Sequence, residues 1–91
     1  FTLNRTAKVL SKNEQQIQLS PREFQIFDLL AQNLGMVVPR DVILDRIWGL
    51  EYEVSSNNID SYVKLLRKKL DIGEDKTMIH TIRGVGYKLE V

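Results

Sequence analysis

The stretch from residue 57 to residue 70 constrains this chain more than any other part of the sequence, because its apolar side chains fall on one side of a helix. If Ile59 is set at zero and each residue advances by about 100°, the apolar positions occupy an arc from roughly −60° to +40°. They are Ile59, Tyr62, Val63, Leu66 and Leu70. Such a stripe is stable only against other apolar surface. We therefore predict a core helix that begins at Ser55 or Ser56 and reaches Leu70.

The opposite face of this helix is polar and basic. It presents Asn57, Asn58, Ser61, Lys64, Leu65 and Lys68, with Arg67 and Lys69 on its flanks. Amides can pair with adenine edges, lysines with guanine or phosphate, and serine with either, inside a groove that admits a helix. Leu65 is either a singly exposed leucine or a contact for a thymine methyl group. The pattern also fits an ordinary amphipathic surface helix whose lysines serve solubility.

Charge is concentrated in this segment and balanced elsewhere. The 91 residues carry 13 Lys and Arg against 12 Asp and Glu, so the net charge is only +1. Residues 1–54 hold six basic and seven acidic side chains, whereas residues 57–70 hold four basic side chains and one acidic one. A local cluster of this kind is either a solvated helix face or a surface that faces phosphates.

The segments before this helix predict a small sheet and two further helices. Short alternating apolar bursts over residues 1–19 indicate three or four short antiparallel strands. The Ser-Pro-Arg-Glu motif at residues 20–23 predicts a helix start with a capping box, and that helix runs to about Asn33. Pro39 opens a second helix, which ends at Gly49.

The end of the chain predicts a β-hairpin. Two β-prone runs within residues 77–91 flank a glycine-rich turn at residues 83–86, and residues 36–38 form a β-prone link between the first two helices. A sheet, three helices and a hairpin predict an α+β fold of the winged helix-turn-helix kind, as one domain over residues 1–91. In that plan one helix enters the major groove of DNA and the hairpin lies beside it. Arg83, which stands just before the glycines of this turn, can reach a minor groove or a phosphate.

The composition argues against enzymatic, metal-binding and membrane-spanning roles. The chain has no cysteine, and His80 is its only histidine, so thiolate sites and clustered metal ligands are missing. No Ser/His/Asp constellation or phosphate loop is visible, no cofactor is expected, and no run of about 18 apolar residues would cross a membrane. The main rival reading is a winged-helix module that binds protein and not DNA. RNA binding is a weaker rival, because no aromatic stacking platform is evident.

Several motifs together resemble the OmpR/PhoB family of response regulators. They are Leu19 to Phe24, Arg40 to Gly49 and Asn58 to Leu70, and the strongest match is Ile79 to Tyr87. The resemblance covers essentially all 91 residues. It implies the sequence-specific DNA-binding effector domain of a bacterial, cytoplasmic two-component regulator. It also implies that a phosphorylatable receiver domain, absent from this fragment, belongs to the same protein and is served by a sensor histidine kinase.

The resemblance further implies roles for individual residues. The phosphate-contacting positions are Trp48, Arg67, Thr81 and Tyr87, the minor-groove position is Arg83, and the groove-facing positions are Asn57, Asn58, Ser61, Lys64, Leu65 and Lys68. Trp48 and Tyr87 can equally be core residues with a polar tip at the surface. The loop that contains Glu51, Tyr52 and Glu53 matches the region through which family members touch RNA polymerase, although a plain solvated loop fits as well. Two copies are expected head to tail on a direct repeat of double-stranded DNA.

Overall fold

The computed structural model describes residues 2–12, 14–49, 56–70 and 78–90, except for the side chains of residues 12 and 56–58. Its elements, in chain order, are β1 (Thr2–Asn4), β2 (Val9–Lys12), β3 (Gln15–Ile17), α1 (Pro21–Gln32), β4 (Val37–Pro39), α2 (Arg40–Ile43), a π-helical segment (Leu44–Trp48), α3 (Ser56–Leu70), β5 (Ile79–Ile82) and β6 (Gly86–Leu89). The predicted α+β order of sheet, helices and hairpin is confirmed.

The first three strands form the predicted antiparallel sheet at the start of the chain. β2 lies between β1 and β3, and Leu10 on β2 faces both Leu3 and Ile17. Leu10 and Ile17 are buried and join the hydrophobic core. The alternation of apolar and polar residues therefore places one face of this sheet in the core and the other in solvent, as in other half-buried antiparallel sheets.

Helix α1 begins as its sequence predicts. The Ser20 hydroxyl accepts a hydrogen bond from the backbone N–H of Glu23, and the Glu23 carboxylate accepts one from the backbone N–H of Ser20. Pro21 occupies the first helical position, where its missing N–H has no cost. The capping box thereby fixes the start of α1, and the helix then buries Phe24, Phe27 and Leu30 among other residues.

The second helix differs from the prediction in its start and in its form. Pro39 does not lie in the helix, because it pairs with Gly86 as the last residue of β4, and the helix begins at Arg40. Among the residues that the structure describes, no side chain caps this start. The helix changes to π-helical hydrogen bonding at Leu44, and the N–H of Gly49 donates to the Leu44 carbonyl at 3.0 Å. Of the β-prone link predicted at residues 36–38, Val37 and Val38 belong to the paired strand β4.

The C-terminal hairpin belongs to a three-stranded sheet in the order β4-β6-β5. β6 pairs with β5 as predicted, and its other edge pairs with β4. Gly86 makes the second pairing possible, because a Cβ atom at this position would lie 2.0 Å from the Val38 carbonyl oxygen. We call β5, β6 and the turn at residues 83–85 the wing. The wing is thus fastened along β6 to the strand that leads into α2.

Helix α3 packs its apolar stripe into the core as predicted. Ile59, Val63, Leu66 and Leu70 are buried, and Tyr62 is half-buried at the edge of the same cluster. No helix within the described ranges combines the length and the apolarity needed to cross a lipid bilayer. With one side of α3 fixed against the rest of the fold, its opposite side has to face outward.

Candidate nucleic-acid interface

The outward face of α3, as we call it, consists of Ser61, Lys64, Leu65 and Lys68. All four residues are exposed, and Leu65 keeps 49% of its surface accessible, whereas its neighbour Leu66 is 0% exposed. The positions predicted to face a groove and described by the structure therefore do lie on one surface. Two lysines, a hydroxyl and an apolar side chain offer contacts for phosphates, base edges and a methyl group.

Other predicted positions fall outside what the structure describes. The backbones of Asn57 and Asn58 lie in the first turn of α3, but their side chains are outside the described part. Glu51, Tyr52 and Glu53, the predicted polymerase-contact loop, lie outside the described residues altogether.

Arg67 lies on the flank of α3 and is held by β5. Its Nε atom donates to the Ile79 carbonyl at 3.0 Å, and its Nη2 atom donates to the Thr81 hydroxyl at 2.5 Å. Thr81 is exposed, and the hydroxyl that accepts from Arg67 retains its own O–H to donate elsewhere. The structure thus brings two predicted phosphate-contacting residues together, as a polar pair between helix and wing.

The turn of the wing follows directly from this pair. Arg83, Gly84 and Val85 are exposed, and the N–H of Val85 donates to the Ile82 carbonyl at 3.0 Å. Gly84 adopts a φ of 74°, which side-chain-bearing residues rarely take, so the turn depends on this glycine. Arg83 stands two residues after Thr81 and therefore extends the basic surface from α3 toward the tip of the wing.

Trp48 is buried at the end of the second helix, not open to solvent. Its ring lies 5.8 Å from the ring of Tyr62, in a tilted arrangement, and the Arg22 guanidinium lies 5.1 Å from the Trp48 ring centroid. Arg22 also donates to the Ile47 carbonyl at 2.5 Å. Of the two readings that the sequence left open for Trp48, its surroundings favour a core residue.

Tyr87 is even more enclosed, at 2% exposed, and belongs to a polar cluster that sequence reasoning missed. Its hydroxyl donates to the Asp60 carboxylate. The same carboxylate binds both terminal guanidinium nitrogens of Arg40, with Nη2 at 2.8 Å and Nη1 at 3.2 Å. The Arg40 guanidinium lies 5.5 Å from the Tyr87 ring centroid. We call Arg40, Asp60 and Tyr87 the junction cluster, because they come from α2, α3 and β6.

A signal for this cluster exists in the sequence. Asp60 is the only acidic residue among four basic ones in residues 57–70, which singles it out as a candidate for an ion pair. What the sequence does not give is the identity of that partner. Arg40 lies 20 positions earlier in the chain, on another helix.

Lys69, on the other flank of α3, is bound to a buried carboxylate. Its Nζ atom lies 2.7 Å from Glu23 Oε1, and Glu23 is only 2% exposed. Burial raises the pKa of Glu23, but hydrogen bonds from Lys69 and Ser20 outweigh it, so the pKa is lower than the ordinary value. Lys69 thus fastens the last turn of α3 to the first turn of α1 and is not part of the outward face.

Comparisons of this chain with family models and with individual proteins agree on one family. The model of a family described as "Transcriptional regulatory protein, C terminal" matches residues 13–89. The heme response regulator HssR of Staphylococcus saprophyticus is 37% identical over 90 residues, which are 99% of this chain and 40% of HssR.

Two solved structures share the fold. The response regulator DrrB of Thermotoga maritima, described as an OmpR/PhoB homolog, superposes with a TM-score of 0.86 at 32% identity, over 98% of this chain and 41% of that one. The DNA-binding domain of CssR of Bacillus subtilis has a TM-score of 0.83 at 26% identity, over 97% of both chains. The chain therefore spans about two fifths of the full-length regulators and nearly all of an isolated domain.

Proposed function

This chain belongs to the OmpR/PhoB family of transcriptional regulatory C-terminal domains, which bind DNA, and from that premise we propose how its own residues do so. The outward face of α3 lies in the major groove of double-stranded DNA. The turn of the wing lies over the adjacent minor groove. In this arrangement the helix supplies most of the sequence discrimination, and the wing and flanking residues supply phosphate contacts.

The observation that carries this proposal is the exposure of Ser61, Lys64, Leu65 and Lys68 on a helix whose other side is buried. The four residues project from one side of a rigid element, which is what direct readout of base edges requires. A singly exposed leucine is common on protein surfaces, so Leu65 contributes to this argument only through its place between Lys64 and Lys68. A leucine at the middle of the outward face fits a thymine methyl group.

The phosphate contacts fall to the residues at the edge of this face. Lys64 and Lys68 carry the charge, and the Thr81 hydroxyl, polarised by the guanidinium of Arg67, is a directed donor for a phosphate oxygen. Arg83 is the candidate for the minor groove, where arginine is favoured by the negative potential. Asn57 and Asn58 remain proposed base contacts from the first turn of α3.

Trp48 and Tyr87 need a different proposal from the one that the resemblance implies. A phosphate oxygen accepts hydrogen bonds and does not donate them, and the single hydroxyl proton of Tyr87 is already given to Asp60. Trp48 is packed against Tyr62 with Arg22 over its ring. We propose that both residues act by holding the DNA-facing elements in place, and that any phosphate contact of Trp48 is confined to its indole N–H.

The proposal is tested by titrating a mixed-sequence DNA duplex into the chain at low and moderate salt, with backbone-amide NMR as the readout. We expect shifts concentrated in residues 57–68 and 81–87, with affinity that falls as salt rises, because counterions are released. A chain that binds protein and not DNA would show no shifts even at low salt. Preference for single strands would indicate the RNA-type alternative, and turnover of a substrate would be needed to argue for an enzyme.

Paired variants make the same experiment specific to the outward face. Lys64→Ala and Lys68→Ala should each weaken duplex binding and lower the slope of log affinity against log salt by about one. Lys8→Ala removes the same charge from the exposed turn between β1 and β2, so it should leave that slope near the wild-type value. Equal effects of all three variants would mean that binding follows net charge and not the outward face.

The remaining partners concern the longer protein to which this chain corresponds. We propose a receiver domain in the same protein, a sensor histidine kinase that acts on it, and two copies head to tail on a direct repeat in the cytoplasm. The full-length HssR, of which this chain spans 40%, bears the name of a response regulator and supports that reading. The acidic residues Glu51 and Glu53 would repel phosphates, so we propose that their loop faces RNA polymerase. Replacing both by Ala should alter transcription activation without loss of DNA affinity.

A further inference from the structure

We propose that the junction cluster of Arg40, Asp60 and Tyr87 positions the wing relative to α3, and so sets how well the chain discriminates between DNA sequences. This inference rests on the proposed function and goes beyond it, because none of the three residues lies on the outward face. They are positioning residues, whose effect on DNA passes through α3 and the turn of the wing.

The cluster joins α3 and the wing, the two parts of the chain that the proposed DNA complex uses, to the start of α2. Arg40 opens α2, Asp60 lies in the second turn of α3, and Tyr87 lies on β6 of the wing. The Arg40 guanidinium binds the Asp60 carboxylate through two nitrogens. This arrangement fixes the relative orientation of the two side chains as well as the distance between them. In addition, the backbone N–H of Arg40 donates to the Val85 carbonyl in the turn of the wing at 3.0 Å. One residue therefore binds both the helix and the turn.

Arg67 provides a second attachment between α3 and the wing, which makes their relative orientation rigid. Arg67 binds β5 through the Ile79 carbonyl and the Thr81 hydroxyl. Asp60 and Arg67 are seven residues apart, which is about 10 Å along a helix at 1.5 Å per residue. One attachment would fix a distance and leave a hinge. Two attachments separated along α3 also fix the angle between α3 and the wing.

The energetics favour a positioning role over a stabilising one. The side chains of Arg40 and Asp60 are 32% and 42% exposed, and ion pairs with this much solvent access add little to the stability of a fold. DNA recognition is more sensitive than stability to the position of the wing relative to α3. A helix in the major groove and an arginine in the neighbouring minor groove must meet the duplex together, so a small change in their relative position costs contacts on the correct sequence. Non-specific binding through phosphates tolerates the same change.

The experiment compares two duplexes of equal length, one selected from a randomised pool with the wild-type chain and one with a scrambled sequence. The selectivity ratio is the affinity for the first divided by the affinity for the second. We expect Asp60→Asn to lower this ratio by about tenfold, the size of one lost base-pair contact, and Tyr87→Phe by about threefold, since it leaves the Arg40 ion pair in place. Affinity for the scrambled duplex should stay near the wild-type value.

The matched control is Asp28→Asn. It breaks the Arg5–Asp28 ion pair, in which Arg5 Nε and Asp28 Oδ1 are 2.6 Å apart, and which joins the turn after β1 to α1, both outside the proposed interface. The selectivity ratio of this variant should match that of the wild type. Urea unfolding of each variant establishes that the chain is folded. Tyr87→Phe removes a single oxygen atom, so the test stands even where Asp60→Asn does not fold.

A double-mutant cycle separates positioning from a general loss of structure. If the cluster acts through the wing, Asp60→Asn should lose most of its effect on the selectivity ratio once Arg83→Ala has removed the wing contact. An unchanged ratio in Asp60→Asn and Tyr87→Phe, equal losses on both duplexes, or additive effects with Arg83→Ala would each overturn the inference. A wild-type chain that binds no duplex at all would instead overturn the proposed function, so the two failures are distinguishable.

Discussion

Adjacent residues on α3 differ in whether their side chains face solvent or the rest of the fold, and this difference defines two regions of the molecule. Lys68 is exposed, whereas Lys69 binds a carboxylate that is almost fully buried. Leu65 is half exposed, whereas Leu66 is completely enclosed. The first member of each pair belongs to the outward face. The second belongs to what we call the anchored side of α3, together with Arg67 and Asp60.

Residue type does not decide function on this helix. Three basic residues stand in a row at positions 67–69, yet only Lys68 faces outward without a described tie to another element, because Arg67 is fastened to β5 and Lys69 to α1. We therefore expect the two regions to fail in different ways. Substitutions on the outward face should change DNA affinity at constant stability, and substitutions at Leu66 and Lys69 on the anchored side should change stability first.

The largest expected effect comes from the leucine pair. Leu66→Ala should lower the free energy of unfolding by about 2–5 kcal/mol, because it removes buried methyl groups and leaves a cavity in the core. Leu65→Ala should change it by no more than about 0.5 kcal/mol, as expected for an exposed site. Urea unfolding followed by circular dichroism measures both values. Similar losses in the two variants would show that the outward face is itself packed, which would remove the basis of the comparison.

The lysine pair gives the next largest effect. Lys69→Ala leaves the Glu23 carboxylate buried without its basic partner, and Glu23 Oε2 already has no described hydrogen-bond partner. Because Lys69 is itself 38% exposed, the loss of stability should be moderate, about 1–2 kcal/mol. Lys68→Ala should leave stability unchanged and weaken duplex binding. The reverse outcome, with stability lost at Lys68 and kept at Lys69, would contradict the assignment of the two flanks.

The sequence predicts the outward face better than the anchored side, for a physical reason. The outward face follows from helical periodicity, since the apolar stripe at Ile59, Val63 and Leu66 leaves only one direction for Ser61 and Lys64. Patterns of this kind are local and need no knowledge of how elements pack. The capping box at the start of α1 is local in the same sense, and it too is confirmed.

The anchored side depends on contacts between residues that are far apart in the chain. Tyr87 and Asp60 are 27 positions apart, and Lys69 and Glu23 are 46 apart. Each pair is decided by the packing of whole elements against one another, which periodicity does not encode. The same reason explains why β4 was predicted only as a link. β4 pairs with β6 because Gly86 lets the two backbones approach closely. The sequence around residue 38 carries no sign of this pairing.

The pH dependence of stability provides a further test of the anchored side. Because the pKa of Glu23 is lowered in the fold, its ionised form stabilises the folded chain above the ordinary value of 4.5. That contribution should disappear as pH falls below 4.5 through the folded pKa. Glu23→Gln resembles the protonated acid, so wild type should exceed it by about 1 kcal/mol at pH 7, and the gap should close in acid.

Glu90→Gln is the control for this titration. A hydrogen bond from Lys88 lowers the pKa of Glu90 as well, but this carboxylate is exposed, so any gap between that variant and the wild type should vanish in high salt. The gap for Glu23→Gln should persist in salt, because the carboxylate is buried. A Glu23→Gln variant that is more stable than the wild type at pH 7, with a difference that closes in acid, would mean that burial outweighs the hydrogen bonds and that the pKa is raised.

An effect no larger than that of Glu23→Gln is expected in the turn of the wing, where side chains are exposed and only the backbone is constrained. A Cβ atom on Gly84 would meet nothing within 4 Å, so the cost of Gly84→Ala comes from the φ of 74° alone. We expect a loss of about 1 kcal/mol in unfolding free energy for Ala, and less for Gly84→Asn, because asparagine tolerates this conformation better. A loss above about 3 kcal/mol in Gly84→Ala, too large for one strained residue, would show that the turn is packed. The wing tip would then belong with the anchored side, and its freedom to enter a groove would be in question.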